Sequence, residues 1–362
     1  PHVVQPEEIV PGVANYYAST IYDGHDFASV LVKTREGRPI KLEPNKTSTN
    51  ARVQASVLSL YDSFRIKNPY KNGLESDWET VDNEIMSKLE SISKSEGKIV
   101  LLSSSIISPT TEQIINSFSK KYSNFQHIQM DSISSHGTLE ANLETFGLRS
   151  LPTYHFDKAD VIVSFGADFI GNWGSPNNER DYFKARNPEN GSMTKHYQIE
   201  STLTLTGSNA DERIQIKPSE QAGLLSSLYN ALNGSKPDNR IVGVVSSLMK
   251  AKSSIVVCNS NEKEVQLLVN SINEKLGNYN NTIDMSNPSH LRKGNDDNVK
   301  QLLTEMNDGK VQALITYNTN PSYTLSNAKD FNAGLEKVSL KISTALSIDE
   351  TSSNMDYVCP DS

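Results

Sequence analysis

The first part of the chain alternates apolar and polar residues in the way that favours β-strands. In the stretch "ASVLVKTREGRPIKLEPN", apolar side chains recur at every second position on both sides of Glu36–Gly37. These side chains are Val30, Val32, Ile40 and Leu42. A period of two directs them to one face of a strand, and the Glu–Gly pair suits a tight turn. The pattern predicts a β-hairpin.

The stretch that follows, "ARVQASVLSLYDSFRI", changes to a helical spacing. Its apolar residues recur three or four positions apart, at Val53, Val57, Leu60 and Phe64. This spacing predicts an amphipathic helix that runs through Phe64. The polar stretch "KNPYKNGLESD", which contains a proline and a glycine, then marks a boundary.

From about Trp78 onward, helical and strand patterns alternate. Helices are predicted in "WETVDNEIMSKLESISKSEG", "SPTTEQIINSFSKKYS", "SEQAGLLSSLYNALNG", "NEKEVQLLVNSINEKLG" and "NAKDFNAGLEKVSLKISTAL", and strands in "KIVLLSSS", "FQHIQMD", "ADVIVSFGAD", "TKHYQIES", "SSIVVCNS" and "VQALITYNTNPS". Strands bounded by helices in this rhythm imply βαβ units and parallel sheets with helices on both faces. The predicted fold class is therefore α/β, with a small N-terminal β-rich segment followed by two Rossmann-like αβα lobes.

The same patterns predict a division into domains. Residues 1–65 form the β-rich segment, residues 66–150 and 290–362 the first α/β lobe, and residues 151–289 the second. The chain begins at a proline and stops at "DYVCPDS" without a capping element. We therefore expect it to be a fragment of a longer protein.

Composition narrows the range of partners. The formal net charge is −8 and the basic residues are scattered, so the clustered Lys and Arg of a nucleic-acid-binding surface are missing. No apolar run approaches the ~20 residues that a membrane span needs. The N-terminal stretch also lacks the basic and apolar regions of a signal peptide.

The sequence contains no common motif for nucleotide or acyl-transfer chemistry. It has no G-x-G-x-x-G fingerprint, no phosphate loop and no G-x-S-x-G elbow. The stretches "VIVSFGADF" (161–169) and "LITYNTNPS" (314–322) place small or polar residues at the carboxyl ends of predicted strands, where α/β proteins bind ligands. Every α/β domain has several such turns, so a structural role is the favoured interpretation. Ser103–Pro109 is interpreted as a helix-capping turn.

No metal site is predicted from the residues. Cys258 and Cys359 are the only cysteines and cannot supply four thiolates. Cys258 ends an apolar run and is expected to be a small buried hydrophobe, while a disulfide between the two remains open. His25 and His136 stand in polar, loop-like settings, but no H-x-x-x-H or paired carboxylate spacing accompanies them. With Asp23 and Asp26, His25 forms at most a weak cation loop.

The order of segments resembles that of a known family. "YYASTIYDGHDFASVLVKTREGRPIKLEPN", "ARVQASVLSLYD", "ADVIVSFGADFIGNWGSP", "IESTLTLTGSNADERIQIKPSEQ", "GKVQALITYNTNPSYTL" and "SIDETSSNMDYVCPDS" follow one another as in molybdopterin oxidoreductases of the dimethyl-sulfoxide-reductase family. The resemblance runs from about Tyr16 to Ser362. Within the family the chain is most similar to the molybdopterin-oxidoreductase-like N-terminal part of the iron–sulfur subunit of alternative complex III, a quinol-oxidising respiratory complex.

The chain departs from this family at the iron–sulfur site. In the family a C-x2-C-x3-C cluster precedes the hairpin, and a fourth cysteine before the following helix completes a [4Fe–4S] site. Laying that pattern on this chain puts Ile21, Gly24 and Ala28 at the three cysteine positions, and the connection "KTSTN" contains no fourth. None of these residues can ligate iron.

The pterin side also departs from the family. The resemblance places degenerate pterin-cleft positions at Trp173, Ser175, Asp211, Lys217 and Gln221. The family's R-P-G-T-D element reads "KPSEQ" here, so the glycine that permits close approach and the aspartate acceptor are both absent. Ser134 and Ser135 are formal candidates for a molybdenum ligand, for which a structural role is favoured.

These departures favour a non-catalytic scaffold: a molybdopterin-oxidoreductase-like domain without a cofactor or a metal, within a membrane-associated electron-transfer complex. The fragment is then not itself a catalyst, although its parent complex is an oxidoreductase. One alternative is an active molybdenum or tungsten bis-pterin oxidoreductase that lacks the N-terminal [4Fe–4S] cluster. A more distant one is a plain α/β protein that binds a small molecule.

The resemblance also implies partners and a location. Iron–sulfur clusters are expected in the remainder of the longer protein, and the neighbouring subunits are expected to include c-type haem proteins and integral quinol-binding subunits. Neither nucleic acid nor a membrane span of its own is expected for this chain. Such proteins lie on the periplasmic face of the bacterial inner membrane.

Overall fold

The computed structural model describes residues 9–46, 48–175 and 177–361. The strands are β1 (Asn15–Tyr22), β2 (Phe27–Arg35), β3 (Arg38–Pro44), β4 (Tyr70–Lys71), β5 (Leu74–Glu75), β6 (Lys98–Ser103), β7 (Phe125–Gln129), β8 (Leu151–Tyr154), β9 (Val161–Phe165), β10 (Lys195–Glu200), β11 (Glu212–Gln215), β12 (Ser254–Cys258), β13 (Ile283–Ser289), β14 (Val311–Tyr317), β15 (Leu340–Ser343) and β16 (Tyr357–Val358). The α-helices are α1 (Ala51–Ala55), α2 (Trp78–Lys94), α3 (Pro109–Lys121), α4 (His136–Phe146), α5 (Asn177–Ala185), α6 (Leu205–Ser208), α7 (Gln221–Leu232), α8 (Val242–Lys250), α9 (Lys263–Lys275), α10 (Asp296–Asn307), α11 (Pro321–Thr324) and α12 (Ala328–Leu335).

The predicted hairpin is confirmed. β2 pairs antiparallel with β3 and Arg35 lies opposite Arg38, so the turn consists of Glu36 and Gly37. Both turn residues have a positive φ, 49° and 78°, as a two-residue type I′ turn requires. A register shift in the hairpin leaves Ile40 exposed, so its prediction as an inward-facing residue is wrong.

The predicted helix through Phe64 is confirmed only in its first half. Asn50 caps α1 by accepting the N–H of Val53 at 2.9 Å, and Val53 is buried. After Ala55 the chain tightens into a 3-10 helix over Ser56–Tyr61. A 3-10 helix turns by about 120° per residue, so the apolar stripe does not continue. Leu60 and Phe64 are accordingly 52% and 84% exposed.

The alternation of helices and strands after Trp78 is confirmed, and the fold is the predicted mixed α/β class. The predicted start of α3 is also confirmed: it begins at Pro109, and the Ser108 hydroxyl accepts the Thr111 N–H at 3.3 Å. The antiparallel pair β8–β13 and the helices α4, α8 and α10 were not predicted.

The chain forms two compact units. Unit 1 comprises the described residues up to 21 with residues 28–57 and 136–290. It contains the hairpin sheet β1-β2-β3 and a parallel sheet of order β11-β10-β9-β12. β9 and β12 are buried along their whole length, and the core on one side of this sheet is formed with α7, α8 and α9.

Unit 2 comprises residues 22–27, 58–135 and 291–362. Its sheet has the order β5-β4-β16-β15-β14-β6-β7, and β16, β15, β14, β6 and β7 are parallel. Its two cores include buried residues of α10 and α12 and of α2. None of the helices within the described ranges is long and apolar enough to cross a membrane.

Candidate functional site

Each parallel sheet has one place where the strand order reverses. In unit 2 the chain passes from β6 to β7 on one side and from β14 to β15 on the other, so the reversal lies between β6 and β14. Open α/β sheets bind ligands at this point, beyond the carboxyl ends of the strands. Ser104 follows β6 and Asn318 follows β14, and these residues mark the candidate site of unit 2.

The segment Tyr22–Phe27 occupies this position. Gly24 has φ +87°, and a Cβ atom built on it would lie 2.7 Å from Asn318 Nδ2 and 2.8 Å from Ser104 Oγ. Such a short contact excludes any larger side chain unless its neighbours move. The backbone of Gly24 therefore packs directly on the ends of the two strands at the reversal.

Hydrogen bonds fix the same segment. The Tyr22 hydroxyl donates to the Ser105 carbonyl, and burial, followed by the negative charge of Asp131, raises the pKa of Tyr22 to about 12. Tyr22 is therefore a neutral donor at physiological pH. Within the segment, Asp23 Oδ1 accepts the N–H groups of His25 and Asp26 at 2.8 and 2.6 Å. This is the side-chain turn that aspartate commonly forms.

Arg292 holds the segment from the other side. Its Nη1 donates to the His25 carbonyl at 2.5 Å, and its Nη2 lies 2.9 Å from His25 Nε2. Arg292 and His25 are both buried. A guanidinium can only donate hydrogen bonds, so His25 Nε2 carries the lone pair. His25, predicted to stand in a loop, is thus a buried acceptor.

A carboxylate already occupies the backbone donors near this edge. Asp131 follows β7, and its Oδ1 and Oδ2 accept the N–H groups of Ser105 at 3.2 Å and Gly294 at 2.9 Å. A Cβ on Gly294 would lie 2.8 Å from Asp131 Oδ2. Backbone N–H groups in such a position are the usual anchor for a ligand anion; here Asp131 takes them.

The three positions that align with the family's cysteines do not form a ligand set. Ile21 and Ala28 belong to a small apolar core with Val30, Leu42 and Val53, while Gly24 faces the strand ends of unit 2. Neither an aliphatic side chain nor a glycine supplies a donor atom to iron.

The two cysteines do not compensate for this. Both are free thiols, so the disulfide left open by the sequence is not formed. Cys258 is buried, as predicted, and burial raises the pKa of Cys258 to about 12 and of Cys359 to about 11. Within the described ranges no group of three or more His, Cys, Asp or Glu residues could hold a metal ion.

In unit 1 the strand order reverses between β9 and β12, and Gln221 closes this point. Gln221 Nε2 lies 2.8 Å from the Phe165 carbonyl, 2.9 Å from Asn259 Oδ1 and 3.3 Å from Cys258 Sγ. Gly166, with φ +68°, has room for no side chain, because its Cβ would lie 2.7 Å from Asn259 Oδ1.

The other edge loops of unit 1 are held by two carboxylates that sequence reasoning missed. Asp168 Oδ1 accepts the N–H and hydroxyl of Thr206 at 3.0 and 2.7 Å. Glu200, at the end of β10, accepts from Arg213 Nε at 2.6 Å and from the Thr204 hydroxyl at 2.7 Å. Burial opposes the ionisation of Glu200, but the hydrogen bonds from Arg213, Thr204 and Gln198 prevail and lower its pKa.

Glu200 ends a line of polar side chains along one face of β10. His196, Gln198 and Glu200 alternate along the strand and are all buried. His196 Nε2 lies 3.2 Å from Gln198 Oε1, and Gln198 Nε2 donates to Glu200 Oε2 at 3.1 Å. Since Gln198 Oε1 can only accept, His196 carries its proton on Nε2. The signal in the sequence was the alternation of polar residues in "KHYQIE".

The remaining candidate positions of unit 1 have structural partners. Asp211 accepts from Arg186 Nη1 and Nη2 at 2.7 and 3.1 Å and from the His196 N–H at 2.7 Å. Burial opposes its ionisation, but these hydrogen bonds lower the pKa of Asp211. The Trp173 ring lies 5.3 Å from that of Tyr154.

Ser175 and Lys217 lie near the starts of helical turns. Ser175 Oγ accepts the Asn177 N–H at 3.3 Å, and the Lys217 N–H donates to Glu220 Oε2 at 2.8 Å. The structure brings Gln221 to the strand reversal of unit 1, whereas Lys217 is exposed.

The serine and histidine candidates around residue 135 also have structural surroundings. Ser134 donates to the Asp296 carboxylate at 2.8 Å, and Ser135 is half-buried. His136 is the first residue of α4 rather than part of a loop, so its predicted loop-like setting is wrong. Its Nδ1 lies 3.7 Å from Glu140 Oε1, one helical turn on.

Comparison with known proteins places this geometry in context. The family model for molybdopterin oxidoreductase matches residues 65–362. The molybdopterin-binding-like subunit of menaquinone reductase from Nitratidesulfovibrio vulgaris (strain Hildenborough) is 22% identical over 390 residues, covering 91% of this chain and 56% of that protein.

Two solved structures share the fold. Acetylene hydratase from Pelobacter acetylenicus aligns with a TM-score of 0.69 and 14% identity over 95% of this chain and 60% of its own. The formyltransferase/hydrolase complex from Methylorubrum extorquens aligns with a TM-score of 0.54 and 11% identity, covering 81% of this chain and 85% of that chain. The chain thus spans a little over half the length of the menaquinone reductase subunit and of acetylene hydratase.

Proposed function

Because the chain belongs to the molybdopterin oxidoreductase family, we propose that it is a non-catalytic, cofactor-free member of that family, which serves as a scaffold in a quinone-linked respiratory complex. One observation carries this proposal. The segment Tyr22–Phe27, which aligns with the cluster-binding stretch of the family, has no iron ligand and packs by Gly24 on the strand ends of unit 2.

The pterin side supports the same proposal. At the strand reversal of unit 1, Gln221 bonds to Phe165 and Asn259, and the carboxylates of Asp168 and Glu200 bond to groups of their own unit. These residues do not fit a bound pterin, because a ligand there would have to displace satisfied hydrogen bonds at a cost for each buried group left unpaired.

A complex of several subunits is the proposed setting. The matched relative is the molybdopterin-binding-like subunit of a menaquinone reductase, and this chain covers 91% of its own length in that match. We propose that its partners include c-type haem proteins and integral quinol-binding subunits, on the periplasmic face of the inner membrane, and that iron–sulfur clusters lie in the rest of the longer protein. An arrangement like that of alternative complex III accords with the resemblance of the sequence.

Purification from native membranes through a tag on this chain tests both parts. We expect the chain to bring c-type haem, seen by its absorption, and integral membrane subunits, identified by mass spectrometry. Molybdenum, tungsten and oxidised pterin should all lie far below one per chain. Stoichiometric metal with pterin would establish the alternative, an active oxidoreductase without the first cluster. A chain that leaves native membranes alone, free of any partner, would refute the scaffold role.

A further inference from the structure

We propose that Arg292 replaces a metal centre as the anchor of the Tyr22–Phe27 segment, and that the anchored segment keeps the ligand crevice of unit 2 permanently closed. This inference rests on the proposed absence of an iron–sulfur cluster. Arg292 is thus a positioning residue: it touches no ligand, and it acts by holding His25.

The contacts of Arg292 are suited to this role. One guanidinium nitrogen donates to the backbone of His25 and the other to its ring, so two points on one residue are fixed by a single rigid plane. A planar fork loses little freedom when it binds in this way. Because both residues are buried, water competes little for these bonds, and hydrogen bonds from a charged donor are among the stronger ones in proteins.

The position of His25 explains why this anchor closes the crevice. His25 directly follows Gly24, whose backbone lies against Ser104 and Asn318 at the strand reversal. Asp23 accepts the His25 N–H from within the segment at 2.8 Å, and Tyr22 donates to the Ser105 carbonyl. Fixing His25 therefore fixes Gly24 in contact with the strand ends.

The neighbouring chain strengthens the anchor. Lys293 and Gly294 follow Arg292 and are themselves tied to unit 2: the Lys293 N–H donates to Ser105 Oγ at 2.5 Å and the Gly294 N–H to Asp131 at 2.9 Å. Arg292 thus projects from a backbone that is already held to the ends of β6 and β7. An anchor on a fixed backbone orients its partner better than one on a mobile loop.

Hydrogen exchange measured by mass spectrometry on the purified complex tests the inference. In the wild type we expect the amides of residues 23–26 to be protected. The variant Arg292→Gln should exchange there about tenfold faster or more, because a charged, two-point contact is lost. Arg240→Gln is the matched control: Arg240 forms ion pairs with Glu220 and Asp238 at the surface of unit 1, and this change should leave residues 23–26 unaffected.

Two results would overturn the inference: unprotected amides at 23–26 in the wild type, or protection that survives in Arg292→Gln within about twofold. If Arg292→Gln does not fold, Arg292→Lys, which keeps the charge and loses the fork, should show the same local increase, and unchanged protection there would also overturn it. The proposed function fails separately. It fails if iron bound to this segment is found and its removal by a chelator, rather than loss of Arg292, deprotects residues 23–26.

Discussion

The side-chain amide of Gln221 donates to Asn259 Oδ1 at 2.9 Å, across the point where the strand order of unit 1 reverses. Gln221 is the first residue of α7 and Asn259 directly follows β12. A ligand of an α/β sheet would lie at this same place. In this chain the bond between Gln221 and Asn259 closes it.

Replacing Gln221 by alanine should lower the free energy of unfolding by about 1–2 kcal/mol, because the Phe165 carbonyl and the Asn259 amide oxygen each lose a donor. Urea denaturation measures this change. Gln113→Ala, at an exposed position of α3, is the control and should change little. Equal stability of both variants would show that water replaces Gln221 without loss.

Local pattern predicted most of the elements of the fold. β6, β9 and β12 could be predicted because each is a short, nearly continuous apolar run, as strands buried on both faces require. The end of α1 could not, since the change to a 3-10 helix at Ser56 leaves the spacing of apolar residues unaltered.

The candidate sites were predictable only in part. Resemblance to the family directed attention to Gly24 and Gln221, but their contacts depend on residues far away in the chain. His25 and Arg292 are 267 positions apart, and nothing in the stretch around Arg292 marks it as a partner of His25. Polar residues at alternate positions of β10 suggest an exposed face, whereas His196 and Gln198 are fully buried.

Gly24→Ala should destabilise the protein more than Gly37→Ala. Both glycines have a positive φ, which costs a residue with a Cβ about 1 kcal/mol or more. At Gly37 nothing lies within 4 Å of the added atom, whereas at Gly24 it meets Asn318 at 2.7 Å. Overpacking should add about 1–3 kcal/mol for Gly24 alone. Urea midpoints of the two variants compare them directly, and equal losses would mean that the segment moves aside freely.

Protonation of His196 should weaken the fold in mild acid. Burial lowers the pKa of His196 from 6.5 to about 4. Between these two values the unfolded chain binds a proton that the folded chain does not, so stability falls as the pH drops from 6.5 to 4, by up to about 3 kcal/mol. His196→Gln should reduce this slope, measured by urea denaturation at several pH values. His290→Gln, at an exposed position, should retain the slope, and an unchanged slope in His196→Gln would assign the acid sensitivity to other groups.

Removing the charge of Glu200 should be among the most damaging single changes in unit 1. The Glu200 side chain is 2% exposed and pairs with Arg213, which is 27% exposed. Glu200→Gln leaves the guanidinium without its counter-charge and weakens the hold on Thr204, so we expect a loss of about 2–4 kcal/mol in the free energy of unfolding. Glu212→Gln breaks an exposed pair with Lys195 and should cost under about 1 kcal/mol. In the double variant Glu200→Met with Arg213→Met the unpaired charge is absent, so stability should recover relative to Glu200→Gln. A double variant as unstable as Glu200→Gln would mean that Glu200 acts mainly through Thr204 and Gln198 rather than through Arg213.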